Sequence, residues 1–450
     1  MNSQHRPEYS ILVPVFLVAA AWGIMSGCSD RAAELVPKLP ELSTTPEALS
    51  AALSSALERA DDRADLIRLY ASNNSSPLWV DVHGLTGRGE QAIAALRGAP
   101  IRGLHSEDYP ITMGAVDSAE GLAETEVSLS RSFLQFTSDL RWGRHNPGVY
   151  APKSGNLSEL VLNVATNPDG FEAGLQKLDP PFDEFKRLST ALAQYRRSGT
   201  PEEIATIELT LERWRWLPRE FRRGPILVNI PEFMVRVFDD QLQTVMTMGA
   251  IVGKPTNKTP LLSGEISHLI FGPYWNVPPS ILHKEILPDI VKDRSYLKKN
   301  SFEVQTQQGD VVSTGEVTNE IMAGLRSDRY KIRQIPGPKN ALGRVKFMFP
   351  NNEHVYLHDT NNRNLFQKTV RALSHGCMRI EKPQELAEWA LRNDPAWPKN
   401  RILEALEQTH EQQVNLKQRI PVFIVYHTAT VNEAGEVTFH KDIYGHDSVQ

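Results

Sequence analysis

The stretch Ser374–Ile380 reads SHGCMRI, and the short run Val355–His358 upstream of it reads VYLH. Together they bring one thiol, Cys377, close in sequence to two imidazoles, His358 and His375. The chain has two cysteines, and the other lies near the amino terminus, so Cys377 has no evident disulfide partner. Since the thiolate is the reactive form of cysteine and a neighbouring imidazole produces it, this pattern indicates nucleophilic catalysis by Cys377.

Composition is typical of a globular protein with two or three domains. The chain has 450 residues, of which 40% are hydrophobic and 23% charged. Its net charge of -5 and pI of about 6.3 argue against a nucleic-acid ligand, which favours a basic surface. Two cysteines exclude a disulfide scaffold. His354, His358 and His375 lack the tight spacing of zinc ligands, so we predict no metal site, and no motif calls for a cofactor.

The amino terminus has the pattern of an export signal. The run Ile11–Gly27 is apolar and follows a short polar stretch that contains Arg6. It is short for a membrane span and is interrupted by proline. We therefore predict a signal peptide at 1–27 and a polar tether at 28–45.

The end of this signal, Met25–Cys28, reads MSGC and resembles the lipobox of bacterial lipoproteins, whose cysteine carries diacylglycerol. The resemblance implies a lipid on Cys28 and a periplasmic protein attached to a membrane. Ser29 follows the cysteine, which implies delivery to the outer membrane. The alternative is an uncleaved anchor helix with an incidental cysteine.

The spacing of apolar residues changes near Pro218. Before it, at 46–217, leucines recur at three- and four-residue steps, which indicates mostly helices. After it, at 218–450, runs rich in β-branched residues alternate with turns, which indicates mostly strands. A polar stretch at 278–336 interrupts the strand pattern and is long enough to act as a lid. The sequence therefore predicts an α+β fold: a mostly helical domain, then a mostly β domain with an inserted lid-like subdomain.

Individual elements follow from the same patterns. The predicted helices are 46–70, 88–97, 119–140, 182–197 and one that begins at Pro383. The predicted strands are 226–230, 233–238, 244–252, 266–271, 344–349, 355–358 and 421–428.

Several motifs resemble one known family. PGPKNALG at 336–343, YLHDT at 356–360 and SHGCMRI at 374–380 make the stretch 336–389 similar to the catalytic domain of bacterial L,D-transpeptidases of the YkuD type. LERWRWLP at 211–218, WNVPPS at 275–280 and DIYG at 442–445 resemble the large, multidomain branch of that family. PLWVD at 77–81 resembles the amino-terminal scaffold domain of that branch. Large members often carry a small peptidoglycan-binding module before the catalytic sheet, but 196–207 is too short for one, so the lipid at Cys28 would take over attachment near the wall.

The resemblance implies a specific reaction. Cys377 attacks the carbonyl of the L-centre of meso-diaminopimelate in a donor tetrapeptide stem of peptidoglycan, expels D-alanine and forms a thioester. The side-chain amine of an acceptor diaminopimelate then attacks this thioester. Carbapenem-type β-lactams, which present a strained amide to the same sulfur, are expected to inhibit the enzyme covalently.

The resemblance also assigns roles to the base and its neighbours. His358 is the general base, oriented by the backbone carbonyl of Asp359, with the Asp359 carboxylate a secondary possibility. Backbone N–H groups of Gly376 and Cys377 hold the oxyanion, and His375 is auxiliary. If His358 deprotonates Cys377, or forms an ion pair with it, the thiol should be unusually acidic.

Three further side chains are expected to bind substrate. Arg379 suits a diaminopimelate carboxylate, because guanidinium binds carboxylates in a bidentate manner, or else it stabilises the loop. Tyr356 lies on the same side of a regular strand as His358. Ser374 opens the motif and is expected to line the same site.

Two alternatives to cross-linking stay open. The same thioester chemistry gives a carboxypeptidase with water, exchange with a free D-amino acid, or attachment of a protein lysine to murein. The other alternative is a non-catalytic envelope scaffold that only binds stem peptides. The presence of Cys377, His358 and His375 together argues against it.

Overall fold

The first half of the chain, where leucines recur at helical spacing, folds into helices and contains one short β-hairpin. The structure, a computed structural model, describes residues 44–61 and 63–448. The predicted signal peptide, Cys28 and nearly all of the tether therefore lie outside the described residues. The elements of the first half are α1 (Pro46–Arg59), α2 (Arg63–Ser72), β1 (Val80–Asp81), β2 (Gly84–Leu85), α3 (Gly87–Arg97), α4 (Ala119–Trp142), α5 (Leu157–Ala165), α6 (Phe171–Gln176), α7 (Asp183–Ser198) and α8 (Pro201–Arg215).

Side-chain caps explain where several of these helices begin. The hydroxyl of Thr45 accepts from Ala48 N–H, with Pro46 in the first turn of α1. Thr200 and Glu203 form a capping box at the start of α8. The predicted helix 46–70 is instead two helices, since the backbone of Ala60 is extended and ends α1. In the described part of the chain, no helix is long and apolar enough to span a membrane.

The strands of the second half begin soon after Pro218, where the spacing of apolar residues changes. Its elements are β3 (Ile226–Asn229), β4 (Met234–Phe238), β5 (Thr244–Gly253), β6 (Leu262–Phe271), β7 (Trp275–Asn276), α9 (Pro279–Ile281), α10 (Leu287–Lys292), α11 (Tyr296–Lys299), β8 (Phe302–Thr306), β9 (Val311–Ser313), α12 (Asn319–Arg326), β10 (Tyr330–Gln334), β11 (Val345–Met348), β12 (Leu357–His358), β13 (Ala372–Ser374), β14 (Met378–Ile380), α13 (Pro383–Leu391), α14 (Lys399–Glu407), β15 (Gln412–Val425), β16 (Ala429–Val431) and β17 (Val437–Phe439).

One large sheet holds most of these strands. Its nine strands follow the order β13-β5-β14-β12-β11-β6-β15-β3-β4, and β4 also pairs with β5, which closes the sheet on itself. Strands β12 and β14 run parallel, whereas β12 and β11 are antiparallel. The α+β class predicted from the sequence is confirmed.

The inserted segment forms a subdomain with its own sheet and core. Strands β7, β10, β8 and β9 form a separate four-stranded sheet in that order. Buried apolar side chains such as Ile290, Leu325 and Ile332 pack between this sheet and its helices. The insertion joins β6 to β11, which are hydrogen-bonded neighbours in the large sheet, so it leaves the pairing of that sheet intact.

The last two helices of the first half pack directly on the large sheet. Leu211 and Trp214 of α8 share one buried cluster with Leu227 of β3 and Phe423 of β15. Arg213, also on α8, donates to the carbonyl of Tyr426 at 2.8 Å and pairs with Asp447. The helical half therefore supports the catalytic half through a continuous apolar contact.

Candidate active site

Strand pairing brings the two sequence motifs together. In the parallel pair of β12 and β14, Leu357 lies opposite Met378 and His358 lies opposite Arg379. The Met378 N–H donates to the carbonyl of Tyr356 at 3.1 Å. Residues far apart in the chain thus become neighbours, with Tyr356 beside Cys377.

A cavity of about 390 Å³ contains the candidate site. The sheet side of its lining includes Tyr356, His358, Cys377 and Arg379, and the insertion contributes Trp275, Pro278, Ile281 and Glu285. A larger cavity of about 760 Å³ lies on the helical half, between α1 and α3, but no Cys or His lines it. The smaller cavity is the candidate active site because the thiol of Cys377 and the imidazoles of His358 and His375 all line it.

His358 has the geometry of a neutral base. Its side chain is 4% exposed, and Nδ1 lies 2.5 Å from the Asp359 carbonyl oxygen. Since a carbonyl only accepts, Nδ1 carries the proton and the lone pair is on Nε2. Burial lowers the pKa of His358 to about 3, and the positive charge of Arg379 acts in the same direction. The imidazole is therefore neutral at physiological pH and able to accept a proton.

The carboxylate of Asp359 has other partners. It accepts from the Arg344 N–H at 2.9 Å and from Arg363 Nη1 at 3.0 Å. Gly343 permits this arrangement, since a Cβ there would lie 2.4 Å from the carboxylate and its φ is +63°. Two groups of Asp359 were expected to orient His358, its backbone carbonyl or its carboxylate. The carbonyl makes this contact, whereas the carboxylate binds Arg344 and Arg363.

The thiol of Cys377 is half-buried, forms no disulfide and donates to the His354 carbonyl at 3.9 Å. Burial raises the pKa of Cys377, while the backbone N–H and the hydroxyl of Tyr356, and then the charge of Arg379, oppose this increase. The expectation of an unusually acidic thiol is therefore wrong for the unliganded protein. Burial of both groups thus favours a neutral thiol and a neutral imidazole over a preformed ion pair.

The loop that carries Cys377 is held by its own serine. Ser374 is 2% exposed, and its hydroxyl donates to the Cys377 carbonyl at 2.6 Å while accepting from the Gly376 N–H at 3.2 Å. The φ of Gly376 is +123°, a region that favours glycine. The Gly376 N–H is engaged within the loop, which argues against its predicted role as an oxyanion donor. Ser374 lines the cavity, as expected, and its hydroxyl holds the loop in shape. The role expected for the Cys377 N–H, as an oxyanion donor, stays a prediction.

Thr259 and Tyr444 hold the same loop through a further set of hydrogen bonds. The hydroxyl of Thr259, which is 1% exposed, donates to the Gly376 carbonyl at 2.7 Å and accepts from the Gly253 N–H at 2.9 Å. Tyr444 accepts from the Thr259 N–H at 3.1 Å and donates to the Gly253 carbonyl at 2.6 Å. Thr259 was not predicted, and Tyr444 entered only as part of the DIYG resemblance, because their roles depend on contacts between distant segments.

Arg379 lines the cavity and is half-buried. Its Nε is enclosed and has no hydrogen-bond partner among the described residues. Burial lowers the pKa of Arg379, and the sulfur of Cys377 acts in the opposite direction. A half-buried guanidinium in the cavity lining suits an incoming carboxylate.

His375 contacts the insertion. Its Nε2 donates to Oε1 of Glu285 at 2.6 Å, and Glu285 lies in the helical turn Leu282–Ile286 between α9 and α10. The sequence patterns gave no signal for this contact. Across the described part of the chain, no cluster of three His, Cys, Asp or Glu side chains has the arrangement of a metal site.

Comparison with known proteins identifies two domains in the chain. Residues 224–397 match the L,D-transpeptidase catalytic domain, YkuD, and residues 64–192 match the scaffold domain. A Haemophilus influenzae (strain ATCC 51907 / DSM 11121 / KW20 / Rd) protein named "Putative L,D-transpeptidase" is 27% identical over 395 residues, which cover 85% of this chain and 78% of the relative. The chain thus carries a YkuD-type L,D-transpeptidase catalytic domain at 224–397, preceded by a scaffold domain at 64–192.

Proposed function

We propose that this protein is a peptidoglycan L,D-transpeptidase that forms diaminopimelate–diaminopimelate cross-links through a thioester at Cys377. The observation that carries the proposal is that one cavity holds the free thiol of Cys377, the neutral imidazole of His358 and the guanidinium of Arg379. These groups supply a nucleophile, a base and a carboxylate-binding site.

Acylation begins with proton transfer from the Cys377 thiol to Nε2 of His358. The sulfur attacks the carbonyl carbon of the L-centre of diaminopimelate, and the Cys377 N–H stabilises the oxyanion that forms. The tetrahedral intermediate collapses with cleavage of the C–N bond. His358 returns the proton to the departing amine of D-alanine, and the thioester remains on the sulfur.

Two groups on the paired strands complete the proposed substrate site. Arg379 binds a carboxylate of diaminopimelate, which stabilises the donor stem next to the sulfur. Tyr356, whose pKa is raised chiefly by burial and then by the charge of Cys377, keeps its phenol proton and donates toward the sulfur. This donor stabilises negative charge on sulfur during attack and departure.

We also propose where the enzyme acts. The protein would be exported by a signal peptide at 1–27 and attached to the periplasmic side of a membrane by a lipid on Cys28 and the tether at 28–45. The outer membrane is the location we propose. The support is the MSGC motif and the serine after it. Attachment by a lipid would keep the enzyme near the wall without a separate peptidoglycan-binding module.

Muropeptide analysis tests the proposal. Cells that express the wild type should contain diaminopimelate–diaminopimelate dimers, and cells that express Cys377→Ala at the same level should lack those that depend on this protein. The purified wild type should form the same dimers from disaccharide-tetrapeptide. Dimer formation by folded Cys377→Ala would overturn the assignment of the nucleophile. Release of D-alanine without any dimer would favour the carboxypeptidase alternative.

A further inference from the structure

A carboxylate of the insertion, Glu285, pairs in the cavity with His375, an imidazole of the Cys377 loop that is separate from His358. Glu285 accepts from His375 Nε2 through Oε1, and both side chains line the cavity that holds Cys377. The Glu285 side chain is 49% exposed and the His375 side chain 32%. Within the described residues, Oε2 of Glu285 and Nδ1 of His375 form no hydrogen bond, so each presents an unused acceptor.

The charged groups of the cavity differ in sign. Among its lining residues, Arg379 is the cation, whereas Glu285 and Glu353 are acids. Arg379 comes from the large sheet, next to the sulfur, and Glu285 comes from the insertion. A ligand that carries both a carboxylate and an ammonium group would find a partner for each.

His358 is unsuited to receive a cationic acceptor. Its side chain is 4% exposed, its Nδ1–H is committed to Asp359, and it lies opposite the positively charged Arg379 in the strand pair. An acceptor amine arrives as an ammonium ion at neutral pH and must lose a proton before attack. The Glu285–His375 pair offers a negative charge and an open imidazole nitrogen for this step.

We propose that Glu285 and His375 form the acceptor site: Glu285 binds the ammonium of the acceptor diaminopimelate, and Nδ1 of His375 takes one of its protons. This inference rests on the proposed function. The neutral amine attacks the thioester carbonyl, the C–N bond forms and the C–S bond breaks. The second amine proton passes to the Cys377 sulfur, and the proton on His375 is released to water. The insertion thereby selects amines over water.

Glu285→Gln tests the proposal, because glutamine keeps an oxygen for the His375 contact and removes the charge. With a tetrapeptide donor, single-turnover thioester formation should stay within about twofold of the wild type. The concentration of acceptor peptide needed for half-maximal aminolysis should rise by about tenfold or more, and the hydrolysed product should increase correspondingly. His375→Ala should shift the partition in the same direction.

Two controls separate charge recognition from structural damage. Glu320→Gln, on α12 of the same insertion and with a 78% exposed side chain, should leave both half-reactions unchanged. Hydroxylamine, which is uncharged at pH 7, should cleave the thioester of wild type and Glu285→Gln at the same rate. Parallel loss of acylation, aminolysis and hydroxylaminolysis in Glu285→Gln would show a structural role and overturn the inference.

The two proposals fail differently. A wild-type protein that forms no thioester, or whose thioester reacts only with water, contradicts the proposed function. A wild type that cross-links normally while Glu285→Gln partitions between acceptor and water as the wild type does contradicts only the acceptor site.

Discussion

The Nδ1 of His358 lies 2.5 Å from the carbonyl oxygen of Asp359, the next residue in the chain. This contact fixes the tautomer of a histidine that burial keeps uncharged. The backbone of the residue that follows its strand therefore orients His358, and the Asp359 carboxylate instead accepts from the Arg344 N–H and from Arg363. The imidazole of His358 is therefore kept neutral, with its lone pair on Nε2, without help from an adjacent negative charge.

Replacement of the base should slow the first half-reaction. We expect His358→Ala to reduce the rate of thioester formation by about two orders of magnitude or more, the usual size of a general-base contribution. His375→Ala should reduce it less, because His375 contacts the insertion. The measurement is the rate of D-alanine release in a single turnover, with the rate of carbapenem acylation as a second readout. The reverse order of the two variants would make His375 the base.

Thiol reactivity should show a distinctive pH dependence. Because burial raises the pKa of Cys377, alkylation by iodoacetamide should be slow at neutral pH and should increase above about pH 8.5, the reference for a free cysteine. The pKa of His358 is lowered to about 3, so the imidazole stays unprotonated, and the base stays competent, as the pH falls through the usual histidine range near 6.5. Acylation rates measured from pH 4 to 8 should therefore lack an acid limb near 6.5. Fast alkylation at pH 6 would indicate a preformed ion pair instead.

Thr259 should act as a positioning residue for the loop of Cys377. Thr259→Val keeps the shape but loses the donor to the Gly376 carbonyl and the acceptor for the Gly253 N–H. The free energy of unfolding should fall by about 1–3 kcal/mol. We also expect kcat to fall about tenfold at an almost unchanged KM, with Thr259→Ser restoring most of it. The control is Thr256→Val, an exposed position in the same segment. A loss of stability without a change in kcat would leave Thr259 a purely structural residue.

Lipid attachment should depend on Cys28. A palmitate analogue supplied to cells should label the wild type and leave Cys28→Ala unlabelled, because the proposed lipobox has this cysteine as its acceptor. The two proteins are then compared by in-gel detection of the label. An unlabelled wild type would indicate a simple signal peptide or an anchor helix.

The core of the site could be predicted from sequence because it is local. His358 and Cys377 lie in two short motifs whose strands pair side by side. An imidazole and a thiol are residue types that indicate a base and a nucleophile. The supporting contacts follow from the topology. Thr259 reaches Gly376 through a turn after β5, and Glu285 reaches His375 through a separate subdomain. No pattern along the chain connects such pairs.

The helical half shows the same limit. Leucine spacing predicted the start of α1 and the extent of α7 closely, whereas α8 was missed although Thr200, Pro201 and Glu203 form a strong start signal. The break after α1 was missed because apolar spacing continues across it. That α8 packs on the catalytic sheet could not be predicted, since its apolar face does not specify what covers it.

The intact mass of the protein during turnover tests the central claim most directly. Purified protein is mixed with a tetrapeptide donor, quenched in acid and mapped by mass spectrometry after proteolysis. We predict an adduct equal to the donor minus D-alanine, located on Cys377, present in His375→Ala and absent in Cys377→Ala. An adduct on another residue, or release of D-alanine by folded Cys377→Ala, would contradict the thioester mechanism.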